Sequence, residues 1–202
     1  MKRNLQKNNI VIVIIGCLCL ILVGYRVFNE SNPIIISTTS EIIIPDNINE
    51  LENDSELIVE IKVTDDAEEF TEFDEDGIPF HGYTLTGVKI LEVISGDSSS
   101  IGDVITVYEP YYYKVLGVQK YLMTIEEYKP MIINNKYVLF LRNAINLGDN
   151  IYYLVGNQYG KYIANDVNLS EFTTKNIDVY EMDEHYIDLY IDVMESYLDE
   201  NK

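Results

Sequence analysis

The longest apolar run of the chain extends from Ile10 to Phe28 and follows an amino-terminal segment with three cations. A helix of about 19 residues is about 28 Å long, which matches the hydrocarbon core of a bilayer. Arg26 is the one charged residue of the run. Cations before the run and acidic sequence after it favour a cytoplasmic amino end. We therefore predict an N-terminal transmembrane helix, a single-pass protein of the cell membrane, and an extracytoplasmic C-terminal domain.

The fate of this run depends on Cys17, which follows a glycine in the sequence Ile14-Ile15-Gly16-Cys17. This pattern fits a permissive lipoprotein signal, in which the cysteine is lipidated. However, Leu18 to Val23 stays apolar, whereas a lipoprotein signal turns polar after its cysteine, and no A-x-A-like cleavage site follows. The pattern favours an uncleaved signal anchor over residues 1–28. Lipidation of Cys17 and a cleaved signal remain alternatives.

Beyond a spacer at residues 29–54, the apolar positions alternate with polar ones over short segments bounded by turn residues, as in β-strands. One segment, Gly82 to Ser95, is apolar on both parities, which suggests a curved strand of a barrel. Five or six strands in residues 55–166 predict a mainly β domain. The strand segments are Glu56 to Thr64, Gly82 to Ser95, Val104 to Glu109, Tyr137 to Leu141, Ile151 to Val155 and Lys161 to Ala164.

The last part of the chain, residues 167–202, has a different period. From Val179 to Leu198, apolar residues recur at the spacing of one helix face. Acidic residues occupy the opposite face. The pattern predicts a C-terminal acidic amphipathic helix whose apolar face comprises Met182, Tyr186, Leu189, Tyr190, Val193 and Tyr197.

Charge and cysteine content narrow the functional classes. The chain has 14 basic and 34 acidic residues, a formal net charge of −20. Such a charge repels phosphate backbones, so we expect no nucleic-acid partner, whereas a protein or basic peptide partner fits. Both cysteines, Cys17 and Cys19, lie in the apolar run. The β domain therefore has no thiol for a disulfide, a zinc site or nucleophilic catalysis.

Candidate chemistry in the β domain is sparse. His81 and His185 lack the spacing of a metal or acid–base motif, and no nucleophile elbow is present. We predict no catalytic residues and no enzyme activity. Glu72, Asp74 and Asp76 precede a glycine and resemble the first half of a calcium loop, but the second half does not match. They form a weak calcium candidate, and we expect no other cofactor.

Tyrosine is the most distinctive residue of the domain. Tyr111, Tyr112, Tyr113 and Tyr121 lie in a segment without regular alternation. Because tyrosine is enriched at interfaces, these four side chains are a candidate binding surface. The alternative is that they fill half-buried positions in a protein without tryptophan.

The order of these segments, from Ser55-Glu56-Leu57-Ile58-Val59 through the VKILEVISGD stretch of Tyr83 to Gly96 to Tyr137-Val138-Leu139-Phe140-Leu141 and Gly160-Lys161-Tyr162, is distinctive. It resembles the small exported proteins of Gram-positive bacteria whose domain is similar to the netrin-like OB-fold of tissue inhibitors of metalloproteinases. The resemblance covers about Ser55 to Asp166 and implies an OB-like five- to six-stranded barrel. The amino-terminal cysteine and disulfides of the animal inhibitors are missing, so their inhibitory mechanism does not carry over.

Together these observations predict a membrane-tethered, extracytoplasmic, non-enzymatic binding domain for a protein or cationic peptide, with an immunity or sensor role as one concrete form. Two alternatives stay open. One is a calcium-dependent or hydrolytic cell-surface enzyme that uses its carboxylates, and the other is a structural protein of the envelope.

Overall fold

The computed structural model describes residues 33–117, 119–164 and 183–197, together with Gly16, Cys17, Leu20 and Gly24. The chain divides into two compact units. The first combines Met1–Ile36 with Tyr113–Met123, and the second combines Ser37–Tyr112 with Thr124–Lys202. The described residues are mainly β and form two sheets.

The described strands and helices follow one another with short connections. The first strands and the first helix are β1 (Ile34–Thr38), α1 (Ile48–Asn53), β2 (Leu57–Phe73), β3 (Pro79–Ser95) and β4 (Val104–Glu109). They are followed by β5 (Tyr111–Leu116), β6 (Gln119–Ile125), β7 (Lys136–Asn143), β8 (Ile151–Leu154), β9 (Lys161–Ile163) and α2 (Glu184–Tyr197). Single turns of 3₁₀ helix lie at Ser98–Ser100 and Asn157–Gly160.

The smaller sheet has three strands in the order β1-β6-β5, and most of its residues belong to the first unit. All five residues of β1 are exposed. Within this unit the ammonium group of Lys120 lies 3.8 Å from the centre of the Tyr113 ring, which is a cation–π distance. The sequence predicted a spacer at β1 and an irregular segment at β5 and β6, so this sheet was missed.

The larger sheet belongs to the second unit and has the order β2-β3-β4-β8-β7-β9. An additional antiparallel pairing joins β2 to β7 from Leu57↔Leu141 to Lys62↔Lys136, so that β2, β3, β4, β8 and β7 form a closed ring. Within the ring only β4 and β8 are parallel. Successive side chains of a strand point to opposite faces. The ring interior therefore receives one parity of each strand, including the buried Val59, Ile61, Val88, Val107 and Leu139.

Helix α2 covers part of the outside of this sheet. Its buried face packs with Ile58, Val138 and Phe140 in one hydrophobic cluster. Two of its tyrosines also donate hydrogen bonds of 2.8 Å to strand carbonyls, Tyr186 to Lys161 and Tyr190 to Ile163. The described helix begins at Glu184 rather than at the predicted Val179, and Met182 lies outside the described residues. Its buried residues are Tyr186, Leu189, Tyr190, Val193 and Met194.

The prediction of an N-terminal transmembrane helix is not supported. Among the residues that the structure describes, no helix is both long and apolar enough to cross a bilayer. Most of Ile10 to Phe28 lies outside the described residues. The predicted single-pass location in the cell membrane, the extracytoplasmic placement and the membrane as a partner through that helix are corrected with it. Hydropathy measures how well a segment partitions into lipid, and it does not establish that a run rich in β-branched residues forms a continuous helix.

The predicted fold class also needs correction in its β part. The sequence predicted a single OB-like barrel of five to six strands, whereas the described residues form two sheets. The closed ring is compatible with an OB-like barrel only loosely, because β9 extends its sheet through β7 and a separate three-stranded sheet exists. The physical reason is that β5 and β6 pair with each other and with β1 through backbone hydrogen bonds, which side-chain alternation does not report.

Candidate functional site

Four aromatic side chains cross the outer face of the ring on four neighbouring strands. We call Phe70, Tyr83, Tyr108 and Tyr153 the aromatic row. The ring centroids of Phe70 and Tyr83 are 5.0 Å apart with planes at 15°, and those of Tyr83 and Tyr108 are 4.9 Å apart at 30°. Tyr108 and Tyr153 are 5.1 Å apart at 67°, an edge-to-face contact. Each contact has the geometry of a favourable aromatic pair.

The strand registers explain why these residues meet. Phe70 on β2 lies opposite Tyr83 on β3, and Tyr108 on β4 lies opposite Tyr153 on β8. Tyr83 is a diagonal neighbour of Tyr108, whose direct partner is Leu85. Cross-strand and diagonal neighbours on one face are within reach of aromatic side chains. All four members of the row are only partly buried, so part of each ring is open to solvent.

Two carboxylates flank one end of the row. Glu68 and Glu72 are two residues before and after Phe70 on β2, so strand alternation places both on the same face as that ring. Both are exposed, and Glu72 lies opposite the exposed His81 on β3. This end of the row therefore presents an aromatic ring between two negative charges.

The opposite end of the row carries a cation and an oriented hydroxyl group. Arg142 on β7 lies opposite Tyr153 and is exposed. The Tyr153 hydroxyl donates a hydrogen bond of 3.2 Å to Oδ1 of Asn146. At the middle of the row, burial raises the pKa of Tyr108, and the neighbouring Tyr153 and Tyr83 act in the same direction. The Tyr108 hydroxyl is therefore a neutral donor and acceptor at physiological pH.

A second group of polar residues lies on the inner face, around the carboxylate of Glu109 at the end of β4. Glu109 is 0% exposed, and three donors satisfy it. Oε1 accepts a hydrogen bond of 2.5 Å from the Thr86 hydroxyl. Oε2 accepts one of 2.7 Å from the Tyr128 hydroxyl and one of 2.8 Å from the backbone N–H of Met131. Hydrogen bonds to a charged acceptor are the strong ones, which explains how a carboxylate is kept inside the domain.

Lys161 completes this inner polar cluster, which we define as Thr86, Glu109, Tyr128 and Lys161. Its ammonium lies 3.7 Å from the centre of the Tyr128 ring and donates a hydrogen bond to the carbonyl of Lys129. Burial lowers the pKa of Lys161 to about 7, and the negative charge of Glu109 acts in the opposite direction. Burial also raises the pKa of Tyr128, as does Glu109.

The two groups differ in what they can do. A lysine with a pKa near neutrality can serve as a base or a nucleophile, but only if substrate can reach it. Lys161 is 3% exposed and Glu109 is fully enclosed, so neither is accessible in this conformation. The inner polar cluster therefore acts on stability, whereas the aromatic row is the part of the ring that a partner can touch.

The predicted tyrosine surface is divided by burial. Tyr111 and Tyr112 are buried, and Tyr111 stacks on Tyr128 at 6.5 Å between ring centroids. Little of either side chain is left for a partner. Tyr113 and Tyr121 belong to the other unit and are partly buried.

The predicted calcium loop is a tight turn. Oδ1 of Asp74 accepts the backbone N–H groups of Asp76 at 3.0 Å and Ile78 at 2.7 Å, and Gly77 adopts a left-handed φ of 75°. Glu72 precedes the turn on β2. Within the described residues, no group of three or more His, Cys, Asp or Glu side chains could hold a metal ion. The Asp74 carboxylate is thus engaged in forming the turn.

The remaining sequence candidates are dispersed. Nε2 of His185 lies 2.7 Å from the carbonyl oxygen of Pro45, while His81 is exposed on β3. Cys17, the alternative lipidation site, is exposed. None of these residues belongs to the aromatic row or to the inner polar cluster.

Sequence reasoning missed the aromatic row although a signal was present. Tyr83, Tyr108 and Tyr153 each occupy the parity opposite to the buried residues of their strand. Outward-facing tyrosines on three successive strands indicate a shared surface, but only the register shows that they are neighbours. Comparison of the chain with protein-family models, with curated proteins and with solved structures found no match.

Proposed function

We propose that this chain is a non-enzymatic binding domain that recognises a positively charged protein or peptide through the aromatic row. The observation that carries the proposal is a row of four partly exposed aromatic rings, spaced 4.9 to 5.1 Å apart, with Glu68 and Glu72 beside its first ring. Aromatic side chains supply large contact area and lose little conformational entropy on binding.

The position of the row supports this role. Its members stand on β-strands that are hydrogen-bonded to their neighbours, so their spacing is fixed before a partner arrives. A surface that is organised in advance loses less entropy on binding than a flexible loop. Phe73 and Phe80, both exposed near the tip of the β2–β3 hairpin, add apolar area beyond the row.

Charge supports the choice of partner. With a net charge of −20, the protein attracts cations over a range of about 8 to 10 Å at physiological salt. Complementary charge accelerates association and discriminates against acidic partners. The local carboxylates at Glu68 and Glu72 add a short-range contribution at the row itself.

The test is a binding titration of the full-length chain with a fluorescent basic peptide at low and at high salt. We expect binding that weakens at high salt and that weakens at least about tenfold in Tyr108→Ala, since a central aromatic residue of an interface contributes about 2 kcal/mol. Tyr121→Ala is the matched control, because it removes the same side chain from the other sheet. Equal affinity of both variants, or binding that ignores salt, would contradict the proposal.

A further inference from the structure

We infer that the group bound at the Phe70 end of the aromatic row is the guanidinium of an arginine side chain, in preference to the ammonium of lysine. This inference rests on the proposed function, because it specifies which cation the same surface selects. It depends on the arrangement of Phe70, Glu68 and Glu72 and on the place where the row ends.

The row ends at Phe70 because the sheet ends there. Among the described strands, β2 pairs with β7 only from Leu57 to Lys62, and the later part of β2 pairs only with β3. On one side Phe70 stacks on Tyr83. On its other side no further ring of the row follows among the described residues, so a planar group can extend the stack at this position.

The two carboxylates decide which planar group fits. Adjacent same-face residues of a strand are about 6.6 Å apart along the strand, so Glu68 and Glu72 are each about that distance from Phe70. A cation stacked on Phe70 thus lies within reach of either flexible carboxylate. The charge complementarity identifies the occupant as a cation, and the ring identifies it as one that stacks.

Arginine satisfies both conditions better than lysine. Its guanidinium is planar, stacks on aromatic faces and donates paired hydrogen bonds to a carboxylate, whereas the lysine ammonium is a strongly hydrated point charge. An exposed cation–π contact of about 0.5 to 1 kcal/mol corresponds to about a two- to fivefold gain in affinity. We therefore expect an arginine-containing segment of the partner protein to bind here.

The experiment compares three peptides of equal length in which arginine, lysine or neutral citrulline alternates with serine. Each is titrated against the full-length chain by fluorescence anisotropy at constant low salt. We expect the arginine peptide to bind about two- to fivefold more tightly than the lysine peptide, and the citrulline peptide to bind weakest. Phe70→Leu should abolish the difference between arginine and lysine, while Phe70→Tyr should retain it.

The carboxylates are tested by the double variant Glu68→Gln and Glu72→Gln, which should weaken both cationic peptides. Glu75→Gln is the control, because it removes an exposed charge from the same hairpin at a position in the turn. Equal affinity for arginine and lysine peptides, unchanged in Phe70→Leu, would overturn this inference and leave the proposed function standing. Failure of both cationic peptides to bind at low salt would overturn the proposed function itself.

Discussion

The Tyr128 hydroxyl donates a hydrogen bond of 2.7 Å to Oε2 of Glu109, and both residues are buried. This relationship explains how the domain keeps an acidic residue inside a ring of apolar strands. A buried carboxylate is tolerated only when donors replace the water that it loses, and here a tyrosine, a threonine and a backbone N–H do so.

Tyr128→Phe removes one of these donors and leaves the ring in place. We expect the free energy of unfolding to fall by about 1 to 3 kcal/mol, because a buried acceptor that loses a partner keeps its desolvation cost. Urea unfolding monitored by circular dichroism measures the change. Tyr153→Phe is the control, since its hydrogen bond to Asn146 is exposed, and it should cost less than about 0.5 kcal/mol. Equal losses in the two variants would contradict the role given to Glu109.

Lys161 predicts a specific dependence of stability on pH. Its folded-state pKa is about 7 and its ordinary value is 10.5. The unfolded chain therefore binds a proton between these values that the folded chain has released, so the contribution of Lys161 to stability rises with pH in that window. Below pH 7 the burial penalty is present in full. The slope for a single group is at most about 1.4 kcal/mol per pH unit.

The measurement is the free energy of unfolding of the protein and of Lys161→Met between pH 6 and pH 9.5, a window of about the width that the two pKa values set. We expect the stability of the unmodified chain to increase relative to Lys161→Met as the pH rises. Taking the difference between the two proteins removes the contributions of groups that titrate in both. Parallel curves for the two proteins would show that the pKa of Lys161 is not lowered by folding.

The strand pattern predicted much of the ring from sequence alone. Val104 to Glu109 is confirmed by β4, and Tyr137 to Leu141 lies within β7. These segments alternate strongly because one face of each is enclosed by the ring, and burial is what hydropathy detects. The residues from Asp65 to Phe73 were predicted as an acidic loop. They are strand because they pair with β3, and their exposed acidic side chains conceal that pairing.

The candidate site was harder to predict because it depends on register. Tyr108 and Tyr153 are 45 positions apart in the numbering and become neighbours only through the parallel pairing of β4 and β8. In contrast, Tyr111 and Tyr112 are adjacent in sequence and attracted attention, but the fold buries both. Clustering of a residue type along the chain is a weaker signal than its distribution over the outward parity of several strands.

Leu189 on α2 tests how much the helix contributes to the domain. It is 2% exposed within the hydrophobic cluster that joins α2 to Phe140 on β7. Leu189→Ala removes buried methyl groups and leaves a cavity, so we expect a loss of about 2 to 5 kcal/mol in the free energy of unfolding. Urea unfolding provides the measurement. Ile191→Ala, at a position of the same helix that is 37% exposed, should lose much less, and a comparable loss would contradict the predicted packing.

Gly82 on β3 tests the close approach between the β2–β3 hairpin and Tyr112. A Cβ atom placed on Gly82 would lie 2.6 Å from the carbonyl oxygen of Phe70 and 2.6 Å from Cγ of Tyr112. Because one of these atoms is backbone, the strands must separate to accommodate Gly82→Ala. We expect the free energy of unfolding to fall by about 1 to 3 kcal/mol.

The same variant has a consequence for the aromatic row, because Gly82 is adjacent to Tyr83 and lies opposite Thr71 on β2. A shift of the hairpin would disturb the stacking of Phe70 on Tyr83, so Gly82→Ala should also weaken binding of the basic peptide. Gly77→Ala is the control, since no atom lies within 4 Å of its added Cβ and its left-handed φ alone costs about 1 kcal/mol. Gly77→Ala should therefore lower stability without a comparable loss of affinity, and a variant Gly82→Ala that binds the peptide normally would separate the hairpin from the binding surface.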